Sequence, residues 1–190
     1  IQMAILVPTL VTLIIGICIM VIIVSTLSSG TAASLTNDLV TAIVQQHVNE
    51  FRAISEDSYA VVSAVAPVVQ NIAQTSQSPR AEILEVLEGV LLSNDSMFGI
   101  WTCWEPNALD GNDHLYANTY YHDSTGRYVP YILKDGDEIK YEAVANYDDP
   151  VAGDFYQGAK TRGKPHITDP YYYTTSGREV LFYTVTIPII

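Results

Sequence analysis

Asp123–Glu142 reads DSTGRYVPYILKDGDEIKYE. The clusters DSTGR and KDGDE are built from turn residues, and the run between them is rich in Tyr, Val and Ile, which favour extended chain. The stretch predicts strands separated by tight turns. The same texture begins near Met97 and continues to the last residue, with further turn clusters at PNALDGND (106–113), YDDPVAGD (147–154) and TTSG (174–177). An antiparallel sheet fed by hairpins is expected there.

Upstream the period changes. Val40, Val44, Val48, Phe51, Ile54, Val61 or Val62, Val65, Val69 and Ile72 recur at steps of three and four, the pattern of a long amphipathic helix. Pro67 is expected to bend that helix or end its first section, and QTSQSP (74–79) to turn the chain. Ser78-Pro79 reads as the cap and first position of a second helix, with Glu82 in its first turn and Ile83, Leu84, Leu87, Val90 and Leu91 as its buried stripe. Two helices followed by strands imply an α+β domain with the helices on one face of the sheet.

No charged residue occurs before Asp38, and Ile5–Leu27 is almost wholly aliphatic. At about 1.5 Å per residue such a run matches a bilayer core of ~30 Å, so residues 1–29 are expected to form a transmembrane helix. A cleaved signal peptide is the competing reading, and the small residues of SSGTAAS (28–34) would suit cleavage. The length of the run favours an anchor. The charged residues, 9 Lys and Arg against 21 Asp and Glu, all follow Asn37. This acidic balance argues against nucleic acid as a partner. The lack of a basic cluster after the apolar run places residues 30–190 outside the cytoplasm, either periplasmic or extracellular, with the chain held in the inner (plasma) membrane.

Signals for catalysis are poor. No G-x-S-x-G, H-E-x-x-H or phosphate-cradling glycine loop is present. His47, His114, His122 and His166 lack ligand spacing, and His114 and His122 read as solvent-facing strand residues. DGND (110–113) and DGDE (135–138) read as turns rather than calcium loops. Asp148-Asp149 could do acid and base work in a membrane-tethered hydrolase, but its place before Pro150 suits a turn better. Cys18 and Cys103 fall on opposite sides of the expected membrane boundary and imply no disulfide. No catalytic residue, metal site or cofactor is predicted.

The ordered set WTCWEPNALDGND (101–113), DSTGRYVPY (123–131), YDDPVAGDFYQGAKTRGKPHITDPYYY (147–173) and a strand ending IPI (187–189) resembles the membrane-distal half of double Cache (dCache) sensor domains, familiar from methyl-accepting chemotaxis proteins. The resemblance covers nearly the whole chain, and its specificity lies in the order and spacing of pieces that are individually weak. It implies a transmembrane helix leading into a long helix and then a PAS-like sheet. A second subdomain, a second transmembrane helix and a cytoplasmic signalling region would follow. It also implies a small-molecule ligand, a homodimer formed through the long helix, and no enzymatic activity in this part. A histidine kinase or diguanylate cyclase bearing the same type of ectodomain is the alternative output.

In family members that bind amino acids, the distal pocket uses an opening tyrosine, an R-P-W-Y segment and a P-Y-x-D segment. Here Tyr147 matches the opening tyrosine, with one extra residue in the loop. Gly153 stands at the arginine position, Phe155 replaces the tryptophan, Tyr156 and Tyr171 match, and Tyr173 stands at the aspartate position. The resemblance therefore implies a pocket lined by Tyr147, Phe155, Tyr156, Tyr171 and Tyr173, with Trp101 and Tyr131 as further candidates. Aromatic walls with a few polar groups suit a small solute. Packing alone accounts for Trp104, Pro106 and Arg127.

Overall fold

The computed structural model describes residues 2–175 and 178–189, leaving out the side chains of 2–12, 27–32, 175 and 178. It divides into two units, Ile1–Arg52 and Ala53–Ile190. Helix α1, Gln2–Thr75, supplies the described residues of the first and the opening of the second.

In the first unit the described apolar side chains from Leu13 to Val24, and again Leu35, Leu39, Val40, Ile43, Val44, Val48 and Phe51, are exposed. Among the described residues no helix is long and apolar enough to cross a membrane. The span expected over residues 5–27 is therefore not carried by the described residues, and both its ends fall on side chains outside them.

The second unit continues with α2 (Pro79–Leu92), β1 (Gly99–Trp101), a single 3₁₀ turn (Asp113–Leu115), β2 (Pro130–Asp135), β3 (Glu138–Ala143), α3 (Asp154–Arg162), β4 (His166–Ile167), β5 (Tyr171–Thr175), β6 (Arg178–Phe182) and β7 (Val185–Thr186). The expected α+β class holds, and every described strand pairing is antiparallel. The strands form three small ladders, β1-β2-β3, β4-β7 and β5-β6, where sequence texture suggested one sheet.

The β2–β3 hairpin closes at Asp135 opposite Glu138 over two residues, with Gly136 at φ 65° where such a turn requires a residue free of Cβ strain. Strand β2 is apolar on both sides because both of its faces are covered. Ile132 pairs with Ile100 and Tyr141, and this row packs with Val69 of α1 and Ile83, Leu87 and Leu91 of α2. The alternate row, Trp101, Tyr131 and Val129, faces the other way, toward Val144, Tyr147 and Tyr156. One strand thus touches the helical core with one face and the candidate site with the other.

Two local expectations need correction. Pro67 does not end α1, which runs on to Thr75. The one amide donor lost there is offset by the packing of Val65, Val69 and Ile72 on either side of it. Ser78 occupies the position before α2 but makes no side-chain cap. The Ser76 hydroxyl instead ties the turn to the helix, accepting from the Ser78 amide (2.8 Å) and donating to Glu82 (2.6 Å).

Candidate ligand-sensing site

The DSTGR turn is held by its first carboxylate. Asp123 Oδ1 accepts from the Thr125 amide (2.7 Å), the Thr125 hydroxyl (2.7 Å) and the Arg127 amide (3.0 Å). Gly126 sits at φ 86°, and a Cβ there would lie 1.7 Å from the Asp113 carbonyl oxygen, so only glycine fits. This turn delivers Arg127 into the interior at 4% exposure.

Arg127 Nη2 donates to the Tyr156 hydroxyl (2.6 Å), and its Nε donates to the Trp104 carbonyl. Its guanidinium lies 4.6 Å from the centre of the Tyr147 ring and forms ion pairs with Asp148 (3.6 Å) and Glu105 (3.7 Å). The Tyr156 hydroxyl in turn donates to Glu105, which also pairs with Lys160 (2.7 Å). Tyr147 donates its hydroxyl to Asp123 Oδ2. Both phenols are thereby committed to protein partners and present their rings to the site.

These contacts set the electrostatics. Burial pushes up the pKa of Tyr156, and the bond to Glu105 adds to it; Tyr147 is raised in the same way, by burial and then by Asp123. Burial works to raise the Glu105 and Asp123 carboxyls, yet hydrogen bonds from Lys160 and Tyr156, and from Tyr147 and Thr125, outweigh it and leave both lowered. The Cys103 thiol is pushed up to about 12 by burial.

Five of the seven sequence-predicted residues, Trp101, Tyr131, Tyr147, Phe155 and Tyr156, share one cluster with Val129 and Val144. Phe155 stands edge-on to Trp101 at 5.2 Å between ring centres. Tyr171 and Tyr173 lie outside that cluster, on β5, two apart and half-buried, while Tyr172 between them is exposed. They come near enough to Tyr131 to raise its pKa, after burial and ahead of Glu142. Tyr171 exchanges a hydrogen bond with Thr184 Oγ1 (2.8 Å), and Tyr173 stacks edge-on with Phe182. Among the described residues, the hydroxyls of Tyr131 and Tyr173 make no hydrogen bond. Glu142, opposite Tyr131 in the β2–β3 ladder and exposed, adds to the raised Tyr131 pKa after burial, Tyr173 and Tyr171, and is, after burial, the leading cause for Tyr173.

Gly153 precedes α3, and a Cβ added there would lie 2.5, 2.6 and 2.7 Å from the carbonyl oxygens of Asp149, Asn146 and Tyr147. Asp149 closes this loop by accepting from the amides of Val151 (2.8 Å) and Ala152 (2.7 Å), a turn role, while Asp148 points to Arg127.

Sequence reasoning missed three buried polar groups. Arg80, 7% exposed, pairs with Asp110 and Asp113 at 2.7 Å and donates to the Gly126 carbonyl, so the DGND segment is bound to α2. His122 is buried and stacked on Tyr116 rather than facing solvent from a strand. His166 bridges Asp154 (2.8 Å) and Arg162 (3.3 Å) across α3, under Gly158. No sequence spacing marks these contacts.

Residues 83–190, more than half of the chain, match the family described as the methyl-accepting chemotaxis protein-like, first PDC sensor domain. The chain belongs to this sensor-domain family. A curated relative is the methyl-accepting chemotaxis protein TlpQ of Pseudomonas aeruginosa, 25% identical over 122 residues that cover 58% of this chain and 17% of that protein. Two solved extracellular domains assigned to histidine kinases are also similar. The domain of mmHK1S-Z3 is 28% identical, covers 72% of this chain and 52% of its own, and has a TM-score of 0.58. That of mmHK1S-Z2 is 30% identical, with coverages of 75% and 57% and a TM-score of 0.57. A structure of Methyl-accepting Chemotaxis protein X, 23% identical at a TM-score of 0.53, shares the fold. The chain spans about half the length of the two histidine-kinase domains and a much smaller part of TlpQ. The sensor-domain family agrees with the sensing role expected from the sequence, and the relatives are receptors rather than hydrolases.

Proposed function

We propose that residues 30–190 are the membrane-distal, ligand-sensing half of an extracytoplasmic receptor domain, anchored in the inner (plasma) membrane by residues 1–29. The ligand is a small solute held between the Trp101–Tyr131 face of the sheet, the loop and helix carrying Tyr147, Phe155 and Tyr156, and the β5 tyrosines Tyr171 and Tyr173. The observation that carries this reading is the convergence of five of these aromatic side chains on one face of β1 and β2, whose other face packs on α1. A ligand that favours one setting of β2 would bias the position of α1, by no more than its differential affinity for the two settings.

Pairing of two chains along α1 fits the exposed Val40, Val44, Val48 and Phe51, which fall on one helix face. Chemotactic signalling is the output favoured by the family. A histidine kinase is the second reading, supported by the likeness to mmHK1S-Z2 and mmHK1S-Z3.

A thermal-shift screen of the complete ectodomain against amines, carboxylates, purines and sugars tests the reading. A stabilising compound is expected, and Trp101→Ala should abolish the shift while leaving the unliganded melt cooperative. If no site substitution among Trp101, Tyr131 and Tyr173 alters the response to any hit, the location is wrong. In membranes, ligand-dependent autophosphorylation of the receptor itself would favour the kinase reading over the chemoreceptor.

A further inference from the structure

Three residues stand in one row across the sheet face that the aromatic site uses. Trp101 of β1 pairs with Tyr131 of β2, and Tyr131 pairs with Glu142 of β3. Residues directly opposite one another in antiparallel strands project to the same side, so the Glu142 side chain leaves the sheet on the side of the two rings. Trp101 turns to Phe155, 5.2 Å away between ring centres. Tyr131 leans instead toward Gly99, diagonally across on β1. A Cβ at Gly99 would lie 2.6 Å from Tyr131 Cε2 and 3.0 Å from its hydroxyl oxygen, so the ring edge fills the space that a side chain would occupy. The missing side chain of Gly99 thereby sets the tilt of Tyr131.

The charges around this row leave one carboxylate over. Arg127 is matched by Glu105 and Asp148. Lys140, two residues from Glu142 and on the same side of β3, gives its ammonium to Asp135. Glu142 itself is exposed and, among the described residues, makes no hydrogen bond or ion pair. An anion brought to this row would meet an unmatched negative charge, and a neutral solute would gain nothing from it. A cation would meet aromatic rings and a carboxylate together.

We propose that the row Trp101–Tyr131–Glu142, with Gly99 as the positioning residue for Tyr131, is a subsite for an organic cation, an alkylammonium or quaternary ammonium group held against the rings and matched by Glu142. The assignment rests on the ligand site proposed above and adds the charge of its ligand. Glu142 is the specificity-determining residue. Because its carboxylate is exposed, salt screens its attraction. Discrimination against uncharged solutes therefore weakens as ionic strength rises.

Calorimetric titration of the complete ectodomain with matched probes tests the subsite: choline against its uncharged tert-butyl analogue, and phenethylamine against phenethyl alcohol. At least one cation should bind, and its neutral counterpart roughly tenfold more weakly. Glu142→Gln, an exposed change that leaves the fold intact, should weaken the cation roughly threefold to fivefold at low salt and much less at high salt. Gly99→Ala should weaken it too, but no further once Tyr131 is replaced by alanine, because both substitutions act through the same ring. Additive losses would overturn the part given to Gly99. Equal binding of a cation and its neutral counterpart, or no binding of either cation, would overturn the cation subsite; the ligand site itself would stand if another compound bound and was lost on Trp101→Ala. Cation binding untouched by both Trp101→Ala and Glu142→Gln would overturn subsite and site alike.

Discussion

Arg127 Nη2 and the Tyr156 hydroxyl, 2.6 Å apart, tie the DSTGR turn to helix α3. The bond joins two elements separated by the whole β2–β3 hairpin. Since the Tyr156 hydroxyl donates in turn to Glu105, the three groups form one chain of hydrogen bonds. Removing the middle member should be felt at both ends. Tyr156→Phe keeps the ring but leaves the buried guanidinium a partner short, and is expected to cost about 1–3 kcal/mol. Arg127→Met strands Glu105 and Asp148 less severely, because both are partly exposed, yet it removes the group on which Tyr147 and Tyr156 pack. Denaturant melts of the complete ectodomain should rank Tyr156→Phe as clearly destabilising. An unchanged midpoint would mean that water replaces the phenol.

Stability should fall with acid in two stages. His122 is buried, and burial, seconded by Arg80, holds its pKa below the usual value against the opposing pull of the Tyr120 carbonyl, Asp113 and Asp110. The unfolded imidazole takes up its proton near pH 6.5, about the ordinary value, whereas the folded one resists. Below that pH the unfolded state binds more protons, so stability declines as pH falls. The second stage belongs to Asp123, Glu105 and Asp110, whose folded pKa values are lowered. Their contribution is complete above the unfolded carboxylate range, about pH 4, and disappears as pH drops through the folded values. Melting temperatures measured from pH 8 to 3 should therefore bend first between 7 and 5.5. His122→Gln should flatten that bend alone, and Asp123→Asn the acid limb alone.

Gly153→Ala should be more damaging than an exposed loop substitution. Its Cβ would meet three backbone carbonyl oxygens at 2.7 Å or less, and backbone cannot swing aside as a long side chain can. The start of α3 must shift, carrying Phe155 and Tyr156 with it. A loss of about 1–3 kcal/mol is expected, together with weaker binding of any ligand found. A variant as stable as the parent would show that the Asn146–Gly153 loop is softer than its hydrogen bonds suggest.

Much of this architecture was legible in the residue order, and the parts that were not share a cause. Pro79 and the stripe Ile83, Leu87, Leu91 announced α2 because a first-turn proline and periodicity are local signals. The turn at Gly136 and the run Tyr128–Leu133 announced β2 for the same reason. Pro67 does not end α1, one of its two expected effects, because its local cost is offset by core packing at Val65 and Val69, which no short window contains. Arg80, His122 and His166 gave no signal, since each finds its partners on other elements or on the far end of its own neighbourhood. Trp101, Tyr131, Tyr147, Phe155 and Tyr156 were placed together by resemblance rather than by pattern. Strands on either side of TTSG were expected, but not that β5 and β6 form a ladder of their own, and the turn itself includes Ser176 and Gly177, outside the described residues.

The ligand should not be an ordinary α-amino acid held by a paired arginine and aspartate. A buried zwitterion needs both charges matched, since leaving either one unpaired costs several kcal/mol. The carboxylate partner is missing at Gly153, and the crowding there leaves no room to restore an arginine without rebuilding the loop. Arg127 is no substitute, because its donors are taken up by Trp104 and Tyr156 and its charge by Glu105 and Asp148. Arg162 is exposed and turned to His166. The carboxylate of Glu142 lies near enough to Tyr131 and Tyr173 to oppose the ionisation of both phenols. That arrangement favours a flat neutral solute or a cation against ring faces. Calorimetric titration of the complete ectodomain should detect no common amino acid below millimolar concentration. If a cationic amine binds more tightly than that, Glu142→Gln should weaken it severalfold and raising the salt should do the same. A micromolar dissociation constant for any common α-amino acid, lost on Tyr173→Phe, would instead show that the phenol has taken over the ammonium contact, and the argument from missing charges would fail.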